Sequence, residues 1–127
     1  MRILVIDDDP AIRNALRMAL RYEGYEVTCG NTGTEGLTLV EHERPDLVLL
    51  DVDLPGMDGL DVLRTLHATD ASIQVVMMSG CDSAAIMTGA MQAGAVDYLV
   101  KPFESTDCLY RTIRRVIEHR PLMESDE

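Results

Sequence analysis

An α/β domain, with one parallel sheet covered by helices on both faces, is what this sequence predicts, and three observations predict it. Five short apolar runs alternate with five segments whose apolar residues recur at helical spacing. The runs at residues 3–6 and 47–50 are continuously apolar, as strands buried on both faces must be. Four of the five runs end abruptly on polar residues: Asp7-Asp8-Asp9, Asp51, Ser79 and Lys101. A length of 127 residues suits one such domain. A domain of that size buries roughly two-thirds of the surface its unfolded chain exposes, enough for a core without staples.

Each element has its own sequence grounds. Residues 3–6 form the first strand. Asp9 followed by Pro10 reads as a helix start, Asp9 as N-cap and Pro10 at the first helical position. Ile12, Ala15, Leu16, Ala19 and Leu20 follow on one helical face, and Gly24 reads as the C-cap. Residues 25–29 alternate (Tyr25, Val27, Cys29), which places the second strand near a sheet edge. Asn31 or Thr32 caps a second helix with Leu37 and Val40 inward, and Gly33 and Gly36 weaken it. Pro45 ends that helix and residues 47–50 give the third strand. After the Pro55-Gly56 turn, Leu60, Val62, Leu63 and Leu66 mark a third helix. Residues 73–78 are the fourth strand, and Asp82 or Ser83 caps a fourth helix with Ile86, Ala90, Met91 and Ala93 inward, stopped by Gly94. Met77, Met78, Met87 and Met91 read as core filler rather than a methionine-lined groove. Residues 96–100 are the fifth strand. Ser105 or Thr106 caps a last helix with Leu109, Ile113, Val116 and Ile117 inward. The expected domain spans residues 1–119, with residues 120–127 as a tail or the start of a linker.

Composition narrows the function. Twenty-two acidic against 11 basic residues give a net charge of −11, which speaks against direct nucleic-acid binding by this domain and suits a cation site. The bland reading, a solvated acidic surface, covers most of those charges. Cys29, Cys81 and Cys108 are an odd number, far apart, and match neither a disulfide framework nor a zinc site. Reduced thiols in a cytoplasmic protein are the simplest reading. No signal peptide is recognisable, and no apolar stretch approaches the roughly 20 residues of a membrane span.

Right-handed crossovers bring the carboxyl ends of all parallel strands to one edge, where open α/β sheets bind ligands. Asp7, Asp8, Asp51, Ser79 and Lys101 are therefore expected to meet. Clustered carboxylates repel, so a positive partner is required. Oxygen-only ligands favour a hard cation such as Mg²⁺. With Lys101 as a second positive charge and Ser79 as a hydroxyl donor, the set suits phosphoryl transfer to a carboxylate, Asp51 being the best acceptor. Taken singly, these residues have plainer readings: a capping cluster, a turn serine, a solvated lysine. Their joint placement at successive strand ends outweighs those readings.

The segments ILVIDDDP, LVLLDVDLPGMDG, VVMMSG and AGAVDYLVKPF resemble the receiver domain of two-component response regulators, a likeness that runs from about Arg2 to His119. The resemblance implies a flavodoxin-like fold with strand order 2-1-3-4-5. It implies Asp51 as phosphoacceptor and a Mg²⁺ ion held by Asp51, Asp8 directly, Asp7 more through water, and the backbone carbonyl of Asp53. Ser79 matches the switch hydroxyl, Tyr98 the aromatic switch position, and Lys101 the lysine of the pattern, preceding a cis bond to Pro102. The implied partner is a sensor histidine kinase or phosphotransfer protein. The implied output is a surface of helix four, strand five and helix five, with homodimer formation on phosphorylation as one option and transcription as one readout. The helix after Ser83 has no Lys or Arg, which the charge-paired dimer of winged-helix transcription factors wants. The stretch SGCDSAAIMTGAMQAGAVDYLVKPF looks more like receivers ahead of AAA+ activators or helix-turn-helix domains.

Two rivals are expected to fail. A haloacid-dehalogenase-type phosphatase also uses a DxD motif, here Asp51-Val52-Asp53, but its motif opens the chain and its acidic pair comes last. A vestigial receiver, acting only as a protein-binding module, conflicts with the presence of every site residue. A receiver assists its own phosphorylation and dephosphorylation rather than turning over as an enzyme. Asp53 and Cys81, which flank the path of attacking water, are expected to set the lifetime of the phosphoryl group. Exchanging either for a residue of another size and charge should change the rate at which labelled protein loses phosphate; unaltered rates in both variants would contradict this.

Overall fold

The computed structural model describes residues 1–80, 84–101 and 106–118. Strands and helices alternate strictly: β1 (Arg2–Ile6), α1 (Pro10–Tyr22), β2 (Glu26–Gly30), α2 (Gly33–Glu43), β3 (Leu47–Asp51), α3 (Gly59–Thr69), β4 (Gln74–Ser79), α4 (Ala84–Gln92), β5 (Asp97–Val100) and α5 (Thr106–Glu118). The strands form one sheet in the order β2-β1-β3-β4-β5, and every neighbouring pair is parallel. This is the flavodoxin-like arrangement that the resemblance implies. The chain leaves β1 for one side and returns to its other side at β3, so strand order reverses between them, the point at whose carboxyl ends open α/β sheets place their ligands.

Successive strand side chains point to opposite faces, and the core divides accordingly. Leu4, Ile6, Val48, Leu50, Val75 and Met77 join Val62, Leu63 and Leu66 of α3 and Ala90 of α4. Ile3, Val5, Leu47, Leu49, Val76 and Met78 join Leu16 and Leu20 of α1 and Leu109, Ile113 and Val116 of α5. Both faces of β1, β3 and β4 are thus covered, while β2 sits at an edge, as its alternating pattern implied.

The helix starts follow their caps. Asp9 accepts a hydrogen bond from the Ala11 N–H at 2.9 Å, with Pro10 as the first helical residue. Of the two candidates for α2, Thr32 is the cap and accepts from the Glu35 N–H at 3.1 Å. Asp58, not singled out from sequence, caps α3 through the Leu60 N–H at 2.9 Å. The expected caps Asp82, Ser83 and Ser105, the bond at Pro102, and the tail from residue 119 lie outside the described residues, and nothing is described of the Thr106 side chain.

Some expectations need correction. Glu23 is the C-cap of α1, and Gly24 lies just beyond it with φ +92°, a conformation glycine adopts without strain. Tyr25 belongs to that turn, its N–H donating to the Leu20 carbonyl, so β2 begins one residue later. Ala15 is exposed rather than inward, because Leu16 and Leu20 fill the narrow face of α1 that meets the sheet. Met91 is 48% exposed: it follows the fully buried Ala90, and neighbouring helical residues point about 100° apart. Met77 and Met78 are core residues as expected.

The glycines of α2 have a packing reason. A methyl group on Gly36 would overlap the Ile6 side chain, which would have to shift, so glycine lets this helix cross close over β1. Gly59, at the start of α3, is tighter still. A methyl group there would overlap the Asp51 carbonyl oxygen and come within 2.7 Å of Val52 Cα, and backbone cannot swing aside as a side chain can. Gly59→Ala is expected to destabilise the protein by about 1–3 kcal/mol, the usual range for overpacking. Denaturant unfolding should show a lower midpoint at unchanged m; an unchanged midpoint would contradict the close approach.

Candidate functional site

At the carboxyl rim, β1 runs into Asp7, which is fully buried and held on every side. Its N–H donates to the Gly30 carbonyl at 3.1 Å, joining it to the end of β2. Its Oδ1 accepts from the Asp9 N–H at 2.9 Å, its carbonyl from Arg13 Nη1 at 2.7 Å, and its Oδ2 from Lys101 Nζ at 2.6 Å. Asp8, one step further, is exposed.

Asp51, the last residue of β3, is 3% exposed. Its Oδ1 accepts from the Asp53 N–H at 3.1 Å, and its Oδ2 lies 3.3 Å from Lys101 Nζ. Lys101 thus bridges two carboxylates that stand 44 positions apart in the chain. Its backbone N–H donates to the Ser79 carbonyl at 2.7 Å, so the lysine continues the β4–β5 ladder and is aimed by it. Ser79, closing β4, is 1% exposed, and its neighbour Met78 pairs with Asp51 in the sheet register. Tyr98 lies on β5 opposite Met77, half-buried against the core of the α3–α4 face.

The structure therefore brings Asp7, Asp8, Asp51, Ser79 and Lys101 to one rim, with Asp53 beside Asp51 and Tyr98 two strands away. Among the described residues, Asp7, Asp8 and Asp51 each offer a carboxylate oxygen, and these atoms lie within 4.8 Å of one another. Three carboxylates face the single positive charge of Lys101, and the donors are all oxygen. That donor set fits a hard divalent cation, with Asp8 on the open side. Cys81 lies outside the described residues.

Burial is the largest influence on Asp51 and pushes its pKa up; the Asp53 N–H pulls it down, the Asp7 carboxylate pushes it up again, and Lys101 pulls it down. The net result stands above the ordinary aspartate value. For Lys101, burial alone would lower the pKa, but the hydrogen bond to Asp7 and the charges of Asp51 and Asp7 outweigh it and hold the ammonium form above its usual range. Residue types and spacing did not reveal Arg13, whose Nη1 joins the Asp7 carbonyl to Asn31 Oδ1 at 3.0 Å. An arginine in the first turn of a helix has no distinctive pattern, and only the fold shows that its head lies under the acidic loop.

Residues 3–114 match the family model of the response regulator receiver domain. The chain belongs to that family: it is the receiver domain of a two-component response regulator. It is similar to the response regulator MprA of Mycobacterium ulcerans, with 39% identity over 127 residues, all of this chain and 54% of that protein. Among solved structures it resembles a CheY-like receiver domain protein of Methanospirillum hungatei, at 35% identity and TM-score 0.85, covering 92% of this chain and 94% of that one. The receiver domain of NtrX from Brucella abortus is also similar, at 33% identity and TM-score 0.87, covering 92% and 98%. The chain spans about half the length of the curated relatives it matches. Among the described residues, no helix is long and apolar enough to cross a membrane.

The raised pKa of Asp51 has a stability consequence. A carboxyl group that is harder to ionise when folded makes the native state bind more protons than the unfolded chain, so stability falls as pH rises through that window. Above it, ionised Asp51 opposes folding. Asp51→Asn, neutral and of nearly the same shape, is expected to be more stable than the wild type at pH 7 without divalent cations. The difference should vanish as the pH falls below the ordinary aspartate range. Thermal unfolding in a chelator across that range checks this; a less stable Asn variant at pH 7 would contradict it.

Proposed function

We propose that this domain takes a phosphoryl group from the phosphohistidine of a sensor histidine kinase, or of a phosphotransfer protein, onto Asp51. The observation that carries the reading is the Lys101 ammonium, 2.6 Å from Asp7 and 3.3 Å from Asp51, at the mouth of a three-carboxylate cluster. An Asp51 carboxylate oxygen forms the new O–P bond in line as the P–N bond to the donor breaks, and the histidine ring keeps the electron pair of that bond. Lys101 meets the charge on the equatorial oxygens. Asp7, Asp8, Asp51 and the backbone carbonyl of Asp53 would hold Mg²⁺. The bound ion would supply the remaining positive charge against the phosphoryl oxygens.

The phosphorylated state then draws Ser79 toward Asp51, and Tyr98 follows inward, biasing a two-state surface formed by α4, β5 and α5. The domain assists its own phosphorylation and dephosphorylation and is not a turnover enzyme. It works in the cytoplasm as a receiver over residues 1–119, with 120–127 as tail or linker. It binds neither membrane nor nucleic acid directly, can form a homodimer on phosphorylation, and has transcriptional regulation as its output.

With acetyl phosphate and Mg²⁺, the wild type is expected to take up one phosphoryl group per chain and Asp51→Asn none, as read by intact-protein mass. Retained labelling in the variant would remove Asp51 as acceptor. Failure of the wild type to bind Mg²⁺ or beryllofluoride would favour a purely protein-binding role, and sustained turnover of a small phosphate ester would favour a phosphatase.

A further inference from the structure

Asp8 is the member of the acidic cluster with the least support of its own. Its carboxylate is exposed and makes no hydrogen bond or ion pair with any described residue. Yet a cation ligand must point the same way before and after binding, or part of the binding energy goes into ordering it. The backbone on both sides of Asp8 is pinned. The peptide before it carries the Asp7 carbonyl, which accepts from Arg13 Nη1 at 2.7 Å. The peptide after it carries the Asp9 N–H, which donates to Asp7 Oδ1 at 2.9 Å. The second clamp comes from within the cluster. The first comes from outside it.

Arg13 is itself held. The same Nη1 donates to Asn31 Oδ1 at 3.0 Å, and the Asn31 N–H donates to Glu35 Oε1 at 2.9 Å. Glu35 lies in the first turn of α2, whose cap is Thr32. A chain of contacts therefore runs from the start of α2 through Asn31 and Arg13 to the peptide that aims Asp8.

We infer that Arg13 is a positioning residue for the cation site: it fixes the Asp7–Asp8 peptide against the β2–α2 loop and so directs the Asp8 carboxylate toward Asp7 and Asp51. This rests on the proposed Mg²⁺ site. Outer-shell partners of metal ligands commonly matter by about 10- to 100-fold in affinity. Arg13 touches neither the cation nor the phosphoryl group, so its effect appears first in binding.

The experiment is a calorimetric Mg²⁺ titration of the wild type, Arg13→Ala, Arg13→Lys, Asn31→Ala and the Arg13→Ala/Asn31→Ala double variant, each checked for folding by circular dichroism. Arg13→Ala should weaken Mg²⁺ binding about 10-fold. Arg13→Lys, whose single nitrogen can reach the same carbonyl, should recover most of the loss. The double variant should be little worse than Arg13→Ala, because Asn31 acts through Arg13. Arg13→Ala binding Mg²⁺ within twofold of wild type would overturn the inference while leaving the site intact. An unfolded Arg13→Ala passes the decision to Asn31→Ala: weakened binding there supports the inference and unchanged binding overturns it. A wild type that binds no Mg²⁺ would overturn the site itself, and this inference with it.

Discussion

The constraint on which the rest depends is electrostatic: three aspartates share one small volume at the end of a buried sheet, with one lysine against them. Two of the three, Asp7 and Asp51, are almost fully withdrawn from water. Carboxylates so placed repel, and burial removes the solvent that would screen them. The fold tolerates this because each buried oxygen is engaged. Asp7 takes the Asp9 N–H and the ammonium of Lys101, and Asp51 takes the Asp53 N–H and the same lysine. What is left over is negative charge open on the Asp8 side. A site with that imbalance suits a positive charge, and burial together with the nearby Asp7 carboxylate holds the Asp51 pKa above its ordinary value.

Strand order does the positioning. Because β1 and β3 are neighbours in the sheet, Asp7 and Asp51 emerge side by side although helix, strand and helix separate them in sequence. Because β4 and β5 continue the sheet on the far side of β3, Ser79 and Lys101 arrive at the same rim. The Lys101–Ser79 backbone bond extends the last ladder by one step and carries the ammonium across toward Asp7. Gly59 adds a limit from below: α3 starts so close to the Asp51 carbonyl that no side chain fits between them. Asp51 is thereby seated between a helix start and a lysine, with little room to move.

Most of this is legible in the sequence. Residues 3–6 and 47–50 are too apolar and too short to be anything but covered strands, and strand ends in a parallel sheet share an edge. That logic alone gathers Asp7, Asp8, Asp51, Ser79 and Lys101. Other features were not legible, for physical reasons. Periodicity marks a helical face about 100° wide but not its limits, so it puts Ala15 and Met91 inward although they lie just outside the buried stripe. Gly33 and Gly36 argue against α2 on propensity, yet at Gly36 any Cβ would push into the Ile6 side chain, so the close crossing favours glycine there. Arg13 stayed hidden because its partners, the Asp7 carbonyl and Asn31, belong to loops that come together only in three dimensions.

On the proposed function, the rim formed by β1, β3, β4 and β5 grips a divalent ion beside a phosphate-accepting Asp51. A crystal structure of the protein with Mg²⁺ and beryllofluoride tests it most directly. Beryllium is expected on an Asp51 carboxylate oxygen, Mg²⁺ within reach of Asp8 and the Asp53 carbonyl, and Lys101 and Ser79 on the fluorides. Beryllofluoride on another residue, or a metal bound away from Asp8 and Asp51, would contradict it.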